Sequence, residues 1–208
     1  MMKKIILMAA CAMLGMGAAT AQVQLGAKVG FDLTNFWGKD VSHGMQPNYQ
    51  AGLTLEYRFA NTNFALAPEV VFAAQGGKNT TTKEASSLKA EYDETYHTNY
   101  INVPVMLKYY VAPAFSIDFG PQVGFNVYSK VTKELKGSSG DKTTSTKKTN
   151  DLKDATKTVD FGLGLGGTYN LTSNAYVQAR YTMGMTNVFD GDVECKNGNI
   201  QIAFGMKF

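Results

Sequence analysis

The strongest constraint on this chain is a period-two alternation that recurs along its length and is cleanest in residues 199–208. That stretch reads N-I-Q-I-A-F-G-M-K-F, with Ile200, Ile202, Phe204, Met206 and Phe208 at every second position. Between them stand Gln201, Ala203, Gly205 and Lys207, all small or polar. Side chains alternate across a strand, so this pattern specifies a strand with one apolar and one wet face. A helix would scatter the same residues around its circumference.

The other end of the chain has a different character. Lys3 and Lys4 precede an apolar run from Ile5 to Met16, then small residues ending Ala19-Thr20-Ala21. This is the layout of a secretory signal, with cleavage expected before Gln22, so that 1–21 is removed and 22–208 forms one mature domain. The apolar run is too short to span a bilayer as a helix. A lipid-modified Cys11 is the rival reading, disfavoured by the better cleavage site downstream. Losing Lys3 and Lys4 lowers the 20 basic residues to 18 against 17 acids, so mature net charge is about +1. A balance so near zero gives no reason to expect a nucleic-acid partner. Cys195 then stands alone and forms no internal disulfide.

Seven earlier segments repeat the alternation: 25–36, 48–59, 63–75, 96–111, 114–129, 158–170 and 174–186. One set of faces is almost wholly apolar, for example Leu25, Val29, Phe31 and Leu33, or Val103, Val105, Leu107 and Tyr109. Several of these faces end in Tyr or Phe (Tyr49, Tyr57, Phe59, Tyr109, Tyr169), as an aromatic girdle would. The opposite faces carry the acids Asp32, Glu56, Glu69, Asp118 and Asp160. As many bases share them: Lys28, Arg58, Lys108, Arg180 and Lys207. Buried ions need partners, so a balanced set suits a packed polar interior. Glycines on these faces, such as Gly162, Gly164 and Gly166, are expected to leave small wet cavities.

The connections alternate strictly. Those at 60–62, 112–113 and 171–173 are short; those at 37–47, 76–95, 130–157 and 187–198 are long. Only helices and closed barrels satisfy the backbone in lipid, and membrane barrels segregate short periplasmic turns from long external loops. The expectation is an all-β, eight-stranded, antiparallel, up-and-down transmembrane barrel in the outer membrane of a Gram-negative bacterium. The alternative is a soluble lipocalin-like barrel with its apolar face inward.

With the segments laid out, the chain resembles the PorT-like, OmpX-type outer-membrane barrels of Bacteroidota. The likeness rests on Y-I-N-V-P-V-M-L-K-Y at 100–109, F-G-P-Q-V-G at 119–124, V-D-F-G-L-G at 159–164 and Ala179-Arg180-Tyr181. It implies an eight-stranded monomer, with Pro104 marking a bulge. These motifs specify barrel packing and assembly, not a ligand. Terminal Phe208 resembles the signal read by the barrel assembly machinery. Outer-membrane lipid and lipopolysaccharide are the other expected contacts.

Candidate chemistry is sparse. Asp40, Ser42, His43, Asp93 and His97 fall in external loops, without the spacing of a catalytic set. Two histidines and a distant Cys195 make a poor metal site. Neither an enzyme nor a cofactor is expected. The G-L-G-L-G-G run at 162–167 sits inside an alternating strand with no following helix, so it is not a nucleotide loop. The loop 130–157 is rich in Lys, Ser, Thr and Gly and is expected to be mobile, with its lysines placed to meet lipopolysaccharide phosphates. Long charged side chains in a narrow barrel predict a plugged lumen and a structural or surface-interaction role. A small or gated pore and an accessory role in secretion are the alternatives.

Overall fold

A computed structural model describes residues 23–39, 44–85, 88–139, 142–191 and 194–208. The signal segment, the proposed cleavage point and Asp40, Ser42 and His43 lie outside them. The described residues form nine strands: β1 (Val23–Trp37), β2 (Gln46–Arg58), β3 (Phe64–Ala85), β4 (Leu88–Ala112), β5 (Phe115–Ser139), β6 (Lys142–Asp151), β7 (Val159–Asn170), β8 (Ala175–Gly184) and β9 (Lys196–Lys207). Each is antiparallel to its neighbours. All but β6 close a ring, running β1-β2-β3-β4-β5-β7-β8-β9 and back to β1. The closing strand read first in the sequence makes the seam: Ala27 faces Met206 and Phe31 faces Ile202 across β1 and β9.

The direction of the faces decides what kind of barrel this is. Val29 is 60% exposed, Leu53 60% and Ile202 63%, whereas Asp32 and Asp118 are both at 0%. The apolar face points out and the charged face in, the inverse of a soluble barrel. Aromatics cluster at the outer rims. Tyr57 meets Phe59 at 5.2 Å between ring centroids and Phe64 meets Tyr109 at 5.0 Å, near the short turns. Tyr49 and Phe72 pair at 6.4 Å toward the other end. The short connections stay tight; at the β2–β3 turn Asn61 takes the left-handed backbone (φ 58°), which asparagine tolerates better than most residues.

The long connections depart from the sequence reading. β3 and β4 stay paired through the whole of 76–85 and 88–95, with Thr80 opposite Asp93 and Lys78 opposite Thr95. β5 continues beyond the barrel and pairs with β6, from Lys130 opposite Asp151 to Ser139 opposite Lys142. Much of the segments expected as long loops, 76–95 and 130–157, is therefore a four-stranded sheet, β3-β4-β5-β6. Cross-strand ion pairs support it: Lys133 to Glu94 at 2.7 Å and Lys136 to Asp93 at 3.0 Å. The 25 residues of β4 reach roughly 80 Å at about 3.3 Å per residue, against an apolar band roughly 25 Å tall. The sheet thus projects well clear of the membrane.

Two further expectations are corrected. No bulge forms at Pro104: the β3–β4 register runs unshifted from Pro68/Val105 to Val71/Asn102, and the shifts fall at Asn99/Tyr100 and Tyr110/Ala112. The missing proline N–H leaves a gap in the ladder instead of an extra residue. Nor do the lumen glycines simply leave water-filled space. The Tyr176 ring lies so close to Gly205 that a Cβ there would sit inside it, and a Cβ on Gly164 would stand 3.3 Å from Met106 Cε. Glycine on one strand makes room for a large side chain from another.

Candidate functional site

The barrel interior is stacked in layers, each set by which inward positions share a height. At mid-barrel, Glu69 of β3 accepts from Lys28 Nζ of β1 at 2.7 Å. It also takes both ends of the Arg180 guanidinium of β8, at 2.7 and 3.0 Å. All three side chains are buried. Lys28 also donates to Gln178 at 3.0 Å. Beside this group, Asp118 accepts from Ser116 at 2.6 Å and from the Thr168 hydroxyl, with Lys108 Nζ 3.6 Å away.

Nearer the short turns, Glu56 collects three cations. Arg58 Nε donates at 2.8 Å and Lys207 Nζ at 3.1 Å, and Lys108 stands 3.6 Å away. The Tyr110 hydroxyl completes the set at 2.6 Å. Arg58 also lies over the Tyr110 ring at 4.2 Å. The remaining acids behave differently. Asp32 is met by the amides of Gln50 at 2.8 Å and Asn199 at 3.5 Å. Asp160 is met by Asn197 at 2.7 Å and by the Thr186 hydroxyl. So the acids and bases do not match one to one. Glu56 and Glu69 gather the cations, while Asp32 and Asp160 are solvated by neutral groups.

The external mouth holds a feature the sequence did not reveal. Phe36, Tyr96 and Phe189 form an aromatic trio with centroid separations of 5.8, 5.7 and 5.7 Å, packed with buried Val188 and Cys195. The two segments leading into it are tied together. Lys157 N–H donates to Val188 O at 2.8 Å, Asp190 N–H to Ala155 O at 3.0 Å, and Val188 N–H to Cys195 O at 2.7 Å. Lys153 reaches down to Asn126 Oδ1 at 2.6 Å. An apolar lid stands over the polar lumen. Burial pushes the Cys195 thiol up to about 11, so at neutral pH it is a packed thiol and not a nucleophile.

Asp93 and His97 do not form a catalytic pair. They lie four residues apart on one strand, roughly 13 Å at about 3.3 Å per residue. Asp93 is held by Thr80 at 2.6 Å, Lys136 at 3.0 Å and Lys78 at 3.2 Å. Hydrogen bonding from Thr80 first, then from the lysines, outweighs burial and keeps its carboxyl at about 2. His97 Nδ1 stands 3.4 Å from Gln46 Nε2. Among the described residues, no group of three or more His, Cys, Asp or Glu is placed to hold a metal.

Comparison with known proteins agrees with this architecture. The family model described as "Outer membrane protein beta-barrel domain" matches residues 18–190. No curated protein matches the chain. Among solved structures, it is similar to Ail, the attachment invasion locus protein of Yersinia pestis, solved with the heparin analogue sucrose octasulfate. That match has 14% identity and TM-score 0.45, covering 90% of this chain and 99% of that one. Neisserial surface protein A (NspA) gives 10% identity and TM-score 0.48, covering 88% and 97%. The N-terminal β-barrel domain of Pseudomonas aeruginosa OprF gives 12% and 0.35, covering 90% and 100%.

Proposed function

Because the chain belongs to the outer membrane protein beta-barrel domain family, we propose that it is a plugged outer-membrane barrel working through its external surface. The observation that carries this reading is the projecting sheet. Among the described residues its last strand, β6, pairs only with β5, which leaves one edge of backbone donors and acceptors without a strand partner. Such an edge is a ready template for another extended chain unless something blunts it. Here Lys147 and Lys148 stand exposed along it. They add a positive field that discourages neutral strands and favours anionic partners.

The edge suits phosphates of lipopolysaccharide, and equally an acidic surface on another molecule. The lumen side of the reading rests on the ion clusters at Glu56 and Glu69, with Phe36, Tyr96 and Phe189 above them. A rim enzyme draws no support from Asp93, whose oxygens are occupied by cations and a hydroxyl. Within the family, we propose that the chain is one of the PorT-like, OmpX-type barrels, on the 100–109 and 119–124 motifs, without carrying over a role in secretion.

The test is a photo-crosslinking residue at Thr146 on intact cells, compared with one on the membrane-facing Ile202. Adducts at Thr146 that weaken when Lys147 and Lys148 are changed to Gln support the proposal. No adduct at Thr146 in envelopes that carry normal amounts of barrel overturns it.

A further inference from the structure

At the opposite end from the aromatic trio, the mouth beside the short turns is open to solvent. A cavity of about 500 Å³ sits there, lined in part by Gln24, Arg58, Pro113, Asn170, Ser173 and Lys207. Its size falls within the roughly 300–1,000 Å³ range of small-molecule sites. Both charged side chains on the wall are cationic. The carboxylate behind them, Glu56, is already shared by Arg58, Lys207 and Lys108. Even counting Asp118 with Lys108, these three side-chain bases face two side-chain acids.

Arg58 is built for a ligand as well as for Glu56. Its Cζ lies 4.2 Å from the centre of the Tyr110 ring, and Nε is taken by Glu56. Glu56 meets the guanidinium through Nε, and the side chain is 43% exposed. A planar fork held in this way matches the two coplanar oxygens of a carboxylate. Lys207 supplies a second cation from the adjoining wall. Around them, Gln24, Asn170 and Ser173 offer neutral donors and acceptors suited to peptide groups, and Pro113 adds an apolar surface.

We propose that the periplasmic mouth binds the free α-carboxylate of a short peptide, with Arg58 as the anchoring fork and Lys207 beside it. The carboxylate can come from a free periplasmic peptide or from a D-alanine-ended stem peptide of the cell wall. The proposal is independent of the surface-contact reading, because it uses the other end of the molecule.

Calorimetric titration of the purified barrel in an uncharged detergent tests it. The probes are Ala-Ala-Ala, the same peptide with an amidated C-terminus, and Lys-D-Ala-D-Ala. Inorganic phosphate serves as competitor. Saturable binding of a free acid is expected, at least about tenfold tighter than its amide. Arg58→Gln should weaken it about ten- to a hundredfold, the span of a charge-assisted hydrogen bond, and Arg58→Lys should restore part of the loss. Preference for the D-ended peptide assigns the site to the cell wall; equal affinity for both acids assigns it to free peptides. The acid-versus-amide comparison needs no variant and stands if Arg58→Gln folds poorly. Equal binding of acid and amide, displacement by phosphate at equal concentration, or no saturable binding below about 10 mM overturns the proposal.

Discussion

Changing Glu69 to Gln removes the charge at the centre of the lumen while keeping nearly the same volume, so no cavity forms. Glu69 accepts three hydrogen bonds, from Lys28 at 2.7 Å and from Arg180 at 2.7 and 3.0 Å. The side chains involved are 0 to 3% exposed, so water cannot take over the lost role. Two buried cations would be left with a single amide oxygen. Breaking a buried ion pair by removing one partner costs about 3–5 kcal/mol, and that is the expected loss. Glu56→Gln is the internal control. It also strands cations, but Arg58 is 43% exposed and can turn to solvent, and Lys108 keeps Asp118 and Thr168, so Lys207 alone loses its acid and about 1–2 kcal/mol is expected. The assay is urea unfolding of the barrel in detergent. It is followed by heat-modifiable gel migration and by fluorescence of Trp37, the single tryptophan. Adding Arg180→Met to Glu69→Gln should recover part of the stability, because the stranded guanidinium is gone. A loss below about 1 kcal/mol for Glu69→Gln, or one equal to that of Glu56→Gln, would refute the layered-charge account.

Three further outcomes follow from the described geometry. Deleting Phe208, whose N–H donates to Leu25 O at 2.8 Å and whose ring is exposed to lipid, should lower the amount of barrel in outer-membrane fractions; unchanged abundance would show that it is not read during assembly. Cys195, buried in the lid with its thiol pushed up to about 11, should resist iodoacetamide at neutral pH in the folded protein. It should become reactive when Phe36→Ala loosens the aromatic trio, and equal labelling of the two forms would contradict the lid. Asp93 sits at about 2, below its ordinary 3.8, so the folded form favours the ionised carboxylate. Its contribution is then full above pH 4 and is lost as pH falls toward 2. Hydrogen exchange in the paired segments 76–85 and 88–95, corrected for intrinsic rates, should be unchanged from pH 7 to pH 4 and faster near pH 2; loosening already at pH 4 would refute this.

The parts of the fold legible in the sequence were those where one face meets lipid and the other meets ions. Val29, Phe31 and Leu33 alternate with Lys28, Asp32 and Thr34, and no slip of register preserves both environments. β6 gave no such signal. K-T-T-S-T-K-K-T-N-D is polar at every position, because a strand with solvent on both sides has nothing to alternate. Its pairing comes from continuing the β5 ladder, which composition does not encode. The charge clusters were legible as a list but not as partners. Glu69 and Arg180 are 111 positions apart and Lys28 and Gln178 are 150 apart, distances that only barrel closure removes. The lid was illegible for the same reason. Phe36 and Tyr96 stand on two separate strands and Phe189 in a connection, and each alone reads as an ordinary apolar residue. Glycines were misjudged because their vacant side could be seen, but Tyr176 and Met106, which fill it, could not be placed.

The central claim is that the lumen is plugged by side chains and does not conduct. Single-channel recording of the purified barrel in planar bilayers tests it most directly. The layered charges and the aromatic lid predict a silent membrane, or at most rare and brief events of small amplitude. A stable open state of porin size would contradict the account.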